Sequence, residues 1–233
     1  SLDDLCKITQ GTKPFQVGKG NPKQTREIVN TKPYVSETKI DDSFIPLLRG
    51  SLMNRYVINW QNNYWIKFGD WLAEPRYSAK YDSEEKIIIR QTGDSLVATL
   101  DNKQFIVRDN LYTIVLKKEK LNLKYILGLI NSKLTNWYYQ NILNPEKGEA
   151  LAQVKKGHLA KLPIKIADEE TQNEIIALVD KALKLKSADS KADISAQQTE
   201  IDKLVYQLYD LTPEEIEMVE KQWFNVLLMS VKH

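Results

Sequence analysis

The chain has 233 residues with a net charge of +2; 42% are hydrophobic and 27% charged, a composition that excludes collagen-like, low-complexity and disordered proteins. No apolar stretch reaches the ~18–20 residues of a membrane-spanning helix, so we expect a cytoplasmic protein with no membrane partner. One cysteine, Cys6, and two histidines, His158 and His233, exclude an internal disulfide and a Cys/His zinc site, and no metal is expected in this chain.

The first part of the chain has the pattern of a sheet protein. It begins at Ser1 without an initiator Met, which indicates a fragment or a processed product. A polar, turn-rich stretch at residues 13–32 comes first. Short β-branched or aromatic runs follow at residues 64–68, 86–90, 96–99, 105–107 and 111–115. Turn pairs such as Gly93-Asp94 separate them, so we predict a mostly antiparallel sheet.

From Leu123 the hydrophobic period becomes helical. Apolar residues recur at three- and four-residue steps as far as Tyr138 and predict one helix that covers the sheet. A further strand at residues 162–166 is expected to close the body. Apolar stripes at residues 175–183 and 201–211, joined by a polar turn, predict an antiparallel helical hairpin.

A last helix is predicted to begin at Thr212, because Thr212-Pro213-Glu214-Glu215 combines an N-cap hydroxyl, a first-turn proline and a capping-box glutamate. The predicted fold is therefore α+β. Residues 1–166 form a mostly antiparallel β body with its covering helix, and residues 167–233 form an all-helical spacer or docking segment made of the hairpin and the final helix.

Charge is distributed unevenly between these two parts. Residues 1–166 contain 26 Lys and Arg against 17 Asp and Glu, whereas residues 167–233 contain 7 against 14. A basic body joined to an acidic helical tail is typical of a module that faces a polyanion and has a second surface for another partner. Solvated lysines that cluster by chance are the alternative.

The sequence contains no convincing catalytic motif. An adenine methyltransferase would have an Asn-Pro-Pro-Tyr-type loop, and Asn144-Pro145-Glu146 is better interpreted as a turn. Glu84-Glu85-Lys86, with Asp70 or Asp82 as a further ligand, matches a metal-dependent nuclease pattern, but two acids before a buried strand are usually a solvated turn. We expect no catalytic residue and no cofactor in this chain.

Basic and amide side chains alternate with aromatic ones in several segments. Arg and Lys pair with guanine, Asn and Gln pair with adenine, and the same cations hold phosphates. Ordinary surface loops are the alternative interpretation. The candidate DNA-binding residues are Lys13, Gln16, Lys23, Arg26, Arg49, Arg55, Asn62, Asn63, Arg76, Lys80, Lys155 and Lys156.

Six strings, in this order, resemble one known family. They are Phe-Ile-Pro-Leu-Leu-Arg-Gly at residues 44–50, Arg-Tyr at 55–56, Lys-Ile-Ile-Ile-Arg at 86–90, Leu-Gly-Leu-Ile-Asn-Ser-Lys-Leu at 127–134, Lys-Leu-Pro-Ile at 161–164, and a tail at 200–216. The chain resembles the TaqI-like C-terminal specificity domain of type IIG restriction-modification enzymes, whose tail is shared with related adenine methyltransferases. Arg49 and Arg55 match motif positions. Relatives more often have a proline before Lys86, where this chain has Asp82-Ser83-Glu84-Glu85.

The resemblance implies a target-recognition domain that binds double-stranded DNA and docks to a methyltransferase domain of the same parent chain. The parent would transfer a methyl group from S-adenosylmethionine to adenine N6, with Mg²⁺ if a nuclease is fused. Half of a type I specificity subunit is an alternative within the class. From another class, the chain would be a protein-interaction module with a basic face, which would show little affinity for duplex DNA at low salt.

Overall fold

The computed structural model describes residues 1–118, 121–144, 148 and 152–230, with only the backbone described for residues 79 and 222–230. The predicted α+β class is confirmed. The strands are β1 (Cys6–Gln10), β2 (Val35–Ser36), β3 (Phe44–Leu48), β4 (Met53–Asn54), β5 (Val57–Ile58), β6 (Trp65–Lys67), β7 (Lys86–Arg90), β8 (Ala98–Asp101), β9 (Ile106–Val107) and β10 (Leu111–Leu116). The helices are α1 (Leu2–Leu5), α2 (Arg26–Thr31), α3 (Leu123–Asn131), α4 (Lys133–Tyr138), α5 (Lys156–Ala160), α6 (Glu169–Ala188), α7 (Ser195–Leu208) and α8 (Pro213–Ser230).

The main sheet has the strand order β1-β10-β7-β8, and all its neighbours are antiparallel. Its two faces bury different cores, because successive side chains of a strand point to opposite sides. On β7, Ile87 and Ile89 pack against the helices, while Ile88 between them packs against a second sheet. The main sheet is thus the middle of three layers.

The second sheet has the order β2-β6-β3-β9. Its pairs are antiparallel except β3 and β9, which run parallel with Leu47 opposite Ile106 and Leu48 opposite Val107. The parallel pair continues one residue further, where the Arg108 N–H donates to the Leu48 carbonyl at 2.9 Å. Arg49 and Arg108 therefore leave their strands side by side.

Side chains close the outer edge of β8. The Asn131 amide accepts from the Ala98 N–H at 3.1 Å and donates to the Ala98 carbonyl at 3.0 Å, as a neighbouring strand would. Asn136 accepts from the Leu96 N–H at 2.9 Å. The Arg55 guanidinium donates to the Leu96 carbonyl at 2.9 and 3.2 Å. An edge strand so covered has no row of free backbone groups along this segment.

The covering helix is two helices rather than the predicted single one. Ser132 has extended backbone between α3 and α4, and its hydroxyl accepts from the Thr135 N–H as the N-cap of α4. The next amide, Lys133 N–H, donates to the Asp202 carboxylate at 2.8 Å. The break is explained by these two acceptors, because they satisfy backbone groups that a continuous helix would bond internally.

The strand predicted at residues 162–166 is absent, which corrects the sequence prediction. This segment is extended but pairs mainly with side chains: the Lys165 N–H donates to the Tyr209 hydroxyl, and the Tyr125 hydroxyl donates to the Lys165 carbonyl. Its one backbone contact outside the local turn is the Leu2 N–H on the Leu162 carbonyl. Tyrosine hydroxyls thus satisfy backbone groups that a ladder would have bonded.

The helical hairpin of α6 and α7 is confirmed, and it packs on the body. Ile175, Val179, Ile201 and Val205 belong to the same buried cluster as Ile87 and Ile89 of the main sheet. The capping box of α8 is also present, with the Thr212 N–H on the Glu215 carboxylate and the Glu215 N–H on the Thr212 hydroxyl. Over the described part of the chain, no helix is long and apolar enough to cross a membrane.

Candidate DNA interface

One edge of the main sheet gathers polar side chains from strands distant in sequence. The ends of β1 and β7 meet the start of β10 there. The Gln10 amide donates to the Asp109 carbonyl at 2.6 Å and to the Gln91 side chain at 3.3 Å. The Gln91 amide donates in turn to Gln153 at 3.5 Å. We call Gln10, Gln91 and Gln153 the amide row.

Two of the predicted lysines extend this edge. The Val154 N–H donates to the Gln91 carbonyl at 2.7 Å, which places the following Lys155 and Lys156 beside the amide row. Both side chains are exposed. The backbone of Lys156 also contacts the Tyr112 hydroxyl, so the start of α5 is tied to the sheet.

Three arginines lie on the same edge and form what we call the arginine cluster: Arg49, Arg90 and Arg108. Arg49 follows β3, and its guanidinium carbon lies 4.5 Å from the centroid of the Tyr64 ring. Arg108 follows β9 and donates to the Tyr64 hydroxyl at 3.0 Å. A cation over an aromatic face is held by the ring quadrupole. Tyr64 therefore positions two of the three arginines.

Arg90, the third arginine, ends β7 opposite Leu111. Its stem packs against Gly50, where an added Cβ would lie only 3.3 Å from both Arg90 Cγ and the Asn110 amide nitrogen. The site therefore leaves little room for a side chain at position 50, because the Arg90 stem and the Asn110 amide pack over it. The Gly50 N–H donates to that amide's oxygen at 3.4 Å.

The remaining predicted residues of the body have varied environments. Arg76 lies beside the sheet edge: it donates to the Gly11 carbonyl at 2.8 Å and is paired with Glu74 at 2.5 Å. Lys80 is only 2% exposed and donates to the Gln10 carbonyl at 2.6 Å. Burial lowers the pKa of Lys80 to about 8. Lys80 supports the edge from inside the protein.

The polar loop at residues 13–24 is fixed by a buried glutamine, Gln24, which is not among the candidate DNA-binding residues. The Gln24 amide donates to the carbonyls of Pro14 and Trp71, each at 2.8 Å, and accepts from the Gln16 N–H at 2.9 Å. Lys13 donates to the Gln16 side chain at 2.7 Å. The loop therefore has an internally hydrogen-bonded base.

Four other candidates lie on exposed turns. Lys23 and Arg26 are exposed, at the end of that loop and in the first turn of α2. Asn62 has a left-handed backbone with φ of 56°, and Asn63 accepts from the Gln61 N–H at 3.2 Å. The two asparagines precede Tyr64 directly, which places them next to the arginine cluster.

Arg55 lies beside the start of β8 and faces the helical hairpin. Besides its bonds to the Leu96 carbonyl, it lines a small cavity with Asn131 and Asp202 between the body and the hairpin. Burial lowers the pKa of its guanidinium. Arg49 and Arg55, which both match motif positions, therefore have different surroundings: Arg49 lies over Tyr64, and Arg55 lies between the body and the hairpin.

The nuclease-like string is also structural. The Lys86 ammonium pairs with the Asp101 carboxylate at 2.8 Å, and both side chains are fully buried. Among the residues that the structure describes, no group of three or more His, Cys, Asp or Glu side chains is arranged to hold a metal ion.

Comparison with known proteins identifies the family. The model described as the TaqI-like C-terminal specificity domain matches residues 45–164, slightly more than half of the chain. The chain therefore belongs to the TaqI-like C-terminal specificity domain family, as the ordered sequence strings indicate.

Two relatives extend the match beyond that segment. A candidate type II restriction enzyme and methyltransferase of Methanocaldococcus jannaschii is 27% identical over 195 residues, which are 81% of this chain and 16% of that protein. The fold is also similar to that of the type IIL restriction-modification enzyme MmeI, solved in complex with DNA. The TM-score is 0.53 at 14% identity, over 89% of this chain and 33% of that one. The chain thus spans a small part of each relative.

Several residues of this edge were missed from the sequence: Gln10, Arg90, Gln91, Arg108, Asn110 and Gln153. Arg90 and Arg108 each follow a short apolar run, and a cation at the end of a buried strand is a usable signal. The amides have no local signal, because only strand pairing brings them together.

Proposed function

We propose that this chain reads a short site in duplex DNA as the target-recognition module of a longer restriction-modification protein. The single observation that supports this most strongly is the grouping, on one sheet edge, of the arginine cluster, the amide row, and the exposed Lys155 and Lys156. Family membership supports the same proposal. Arginine and lysine bind phosphates, and arginine and glutamine can also pair bidentately with guanine and adenine edges.

Within this proposal, the predicted DNA-binding residues have different roles. Lys155, Lys156, Lys23 and Arg26 are exposed and would contact phosphates. Asn62, Asn63 and the tip of the loop at residues 13–24 would contact bases, because they project from turns with fixed ends. Lys13, Arg76 and Lys80 donate to protein acceptors, the Gln16 side chain accepts from Lys13, and all four would support these elements. Arg55 would stabilise the fold.

We also propose that the parent protein methylates adenine N6 with S-adenosylmethionine bound outside this chain. The residues present here do not fit that cofactor. The closely spaced glycines Gly18 and Gly20 are the nearest approach to a glycine-rich loop, but a Cβ on Gly20 would lie 2.6 Å from the Trp71 carbonyl. Gly20 is therefore packed against its own protein and does not cradle a phosphate or a nucleoside.

Selection from a random duplex library tests the proposal. The chain is incubated with the library at low salt, bound duplexes are recovered over several rounds, and the enriched sequences are read. We expect one short motif, with weak affinity for random duplex near ~10⁻⁴–10⁻⁶ M at physiological salt. Absence of duplex binding at low salt would contradict DNA recognition and favour the protein-interaction alternative.

A further inference from the structure

We propose that the arginine cluster is a binding site for a single phosphate group of the DNA backbone and leaves base choice to the neighbouring turns. This inference rests on the proposed function and deepens it. It assigns a phosphodiester as the ligand of Arg49, Arg90 and Arg108, two of which the sequence had not indicated.

The three arginine side chains are neighbours around Tyr64 and Gly50. Arg49 and Arg108 leave adjacent parallel strands and both contact Tyr64, through its ring and its hydroxyl respectively. The aliphatic stem of Arg90 packs over Gly50, the residue after Arg49, together with Asn110, two residues after Arg108. Their proximity is therefore fixed by the backbone pairing of β3 with β9 and of β7 with β10.

The cluster carries more positive charge than the protein neutralises. The nearest carboxylate is Asp109, whose Oδ1 lies 3.5 Å from an Arg108 Nη atom. Within the described residues, the Arg49 and Arg90 side chains have no ion pair, and the Nε atoms of all three arginines are buried without a hydrogen-bond acceptor. Like charges held together with unsatisfied donors favour binding of an anion.

The shape of the cluster favours a phosphate over a base edge. All three side chains are half-buried, and their Nε atoms have no exposure to solvent. To read a base, a side chain must extend into a groove, whereas phosphate oxygens project outward from the duplex and can reach a flush surface. Neighbouring guanidinium groups can also donate together to the several oxygens of one phosphate.

The first experiment uses inorganic phosphate as the probe, with the whole 233-residue chain. The melting temperature is measured in increasing phosphate and, as the comparison, in chloride at matched ionic strength. We expect a saturable rise of several degrees at low-millimolar phosphate, because a ligand bound only to the folded state stabilises it. Equal curves in the two salts, or a rise that never saturates, would overturn the proposal.

Two variants locate the effect. Arg90→Met and Arg108→Met remove the charge and keep an unbranched stem, so packing against Gly50 and Tyr64 is largely preserved. We expect each to abolish the saturable part of the phosphate effect. Lys181→Met, an exposed lysine on α6, is the matched control and should leave it unchanged. If a variant does not fold, arginine side-chain NMR signals of the unmodified chain in a phosphate titration decide instead.

The second experiment separates this inference from the proposed function. Binding of random duplex is measured against salt concentration, and each arginine variant should reduce the slope of log K against log salt by up to about one, which is the contribution of one phosphate. An unchanged slope with intact duplex binding would overturn the phosphate site alone. Relaxed discrimination at one base pair of the selected motif would assign that arginine to base reading. Failure of the unmodified chain to bind duplex would overturn the DNA proposal, while the inorganic phosphate result would still decide the anion site.

Discussion

Lys86 and Asp101 form an ion pair of 2.8 Å between β7 and β8, with neither side chain exposed. Asp101 also accepts from the backbone N–H groups of Lys103 and Phe105, at 2.8 and 3.0 Å, and so holds the turn after β8. The Asp101 carboxylate thus neutralises the buried Lys86 and also stabilises the turn that leads from β8 to β9 of the second sheet.

Lys86→Met is expected to destabilise the protein by about 3–5 kcal/mol, because loss of one partner leaves a buried charge without compensation. Urea unfolding followed by circular dichroism measures the change. Lys103→Met, at an exposed position on the same turn, is the control and should stay within about 0.5 kcal/mol of the parent chain. Equal stabilities of the two variants would show that the ion pair does not contribute.

Gly128→Ala tests the contact between α3 and α6. A Cβ at this position would lie 2.7 Å from Ile175 Cγ2, so the Ile175 side chain or its helix must shift. We expect a loss of about 1–3 kcal/mol from overpacking, even though alanine favours a helix over glycine by about 1 kcal/mol. The measurement is thermal unfolding, read as a change in melting temperature.

A double variant identifies the cause of that loss. Ile175→Ala alone should cost about 2–5 kcal/mol through the cavity that it leaves. In the Gly128→Ala background it should cost clearly less, because it also removes the clash. Additive losses would mean that the side chains at positions 128 and 175 do not press on each other.

The helical hairpin supplies a graded test of burial. Val205 is 0% exposed, whereas its neighbour Leu204 is half-buried at the border of the same cluster. We expect Val205→Asp to cost about 4 kcal/mol or more and Leu204→Asp about 1–2 kcal/mol, because the first charge has no access to water. Urea unfolding compares the two. The reverse order would contradict the packing of α7.

Asp202 should make stability depend on pH between about 4 and 6. Burial raises the pKa of this carboxyl to about 6 despite its bonds with the Lys133 backbone and ammonium, while Glu220 raises it further and Arg55 lowers it. The folded state therefore holds a proton that the unfolded state has lost. The contribution of this group to stability falls as pH rises through that window, by on the order of 1–3 kcal/mol.

Asp202→Asn keeps an acceptor for the Lys133 N–H and removes the titration. The difference in unfolding free energy, parent minus variant, should therefore decrease from pH 4 to pH 6 and be constant above that. Comparison with the variant cancels the opposite trend of exposed carboxyls whose pKa is lowered, such as Asp168 and Glu217. A difference that does not change with pH would contradict the burial of a protonated Asp202.

The sequence predicted those elements whose signal is local. The run at residues 86–90 coincides with β7, and Thr212 caps α8 as expected, because a β-branched run and a capping box are complete within a few residues. The strand β1 was missed, since Cys6-Lys7-Ile8-Thr9-Gln10 contains few strongly hydrophobic residues. The expected strand at residues 162–166 was wrong, because its backbone bonds are taken by Tyr125 and Tyr209.

The candidate site was predicted only in part for a related reason. Arg49, Lys155 and Lys156 were identified from residue type, and the structure places them on one edge. Arg108 lies beside Arg49, and Gln10 lies near Lys155 and Lys156, but each belongs to a strand that is distant in sequence. No short stretch of sequence therefore indicates that these residues are neighbours. Arg55 shows the converse: its motif position is matched, but its role depends on the distant Leu96 carbonyl.

The covered edge of β8 also affects the tendency of this domain to aggregate at high concentration. An open edge strand offers a template on which a second chain can pair and aggregate. Here the amides of Asn131 and Asn136 and the guanidinium of Arg55 occupy those backbone groups, and all three belong to the same chain. Changes on the distant loops that alter a recognition surface would leave this protection intact, so the domain can tolerate replacement of its loops without becoming prone to strand-mediated aggregation.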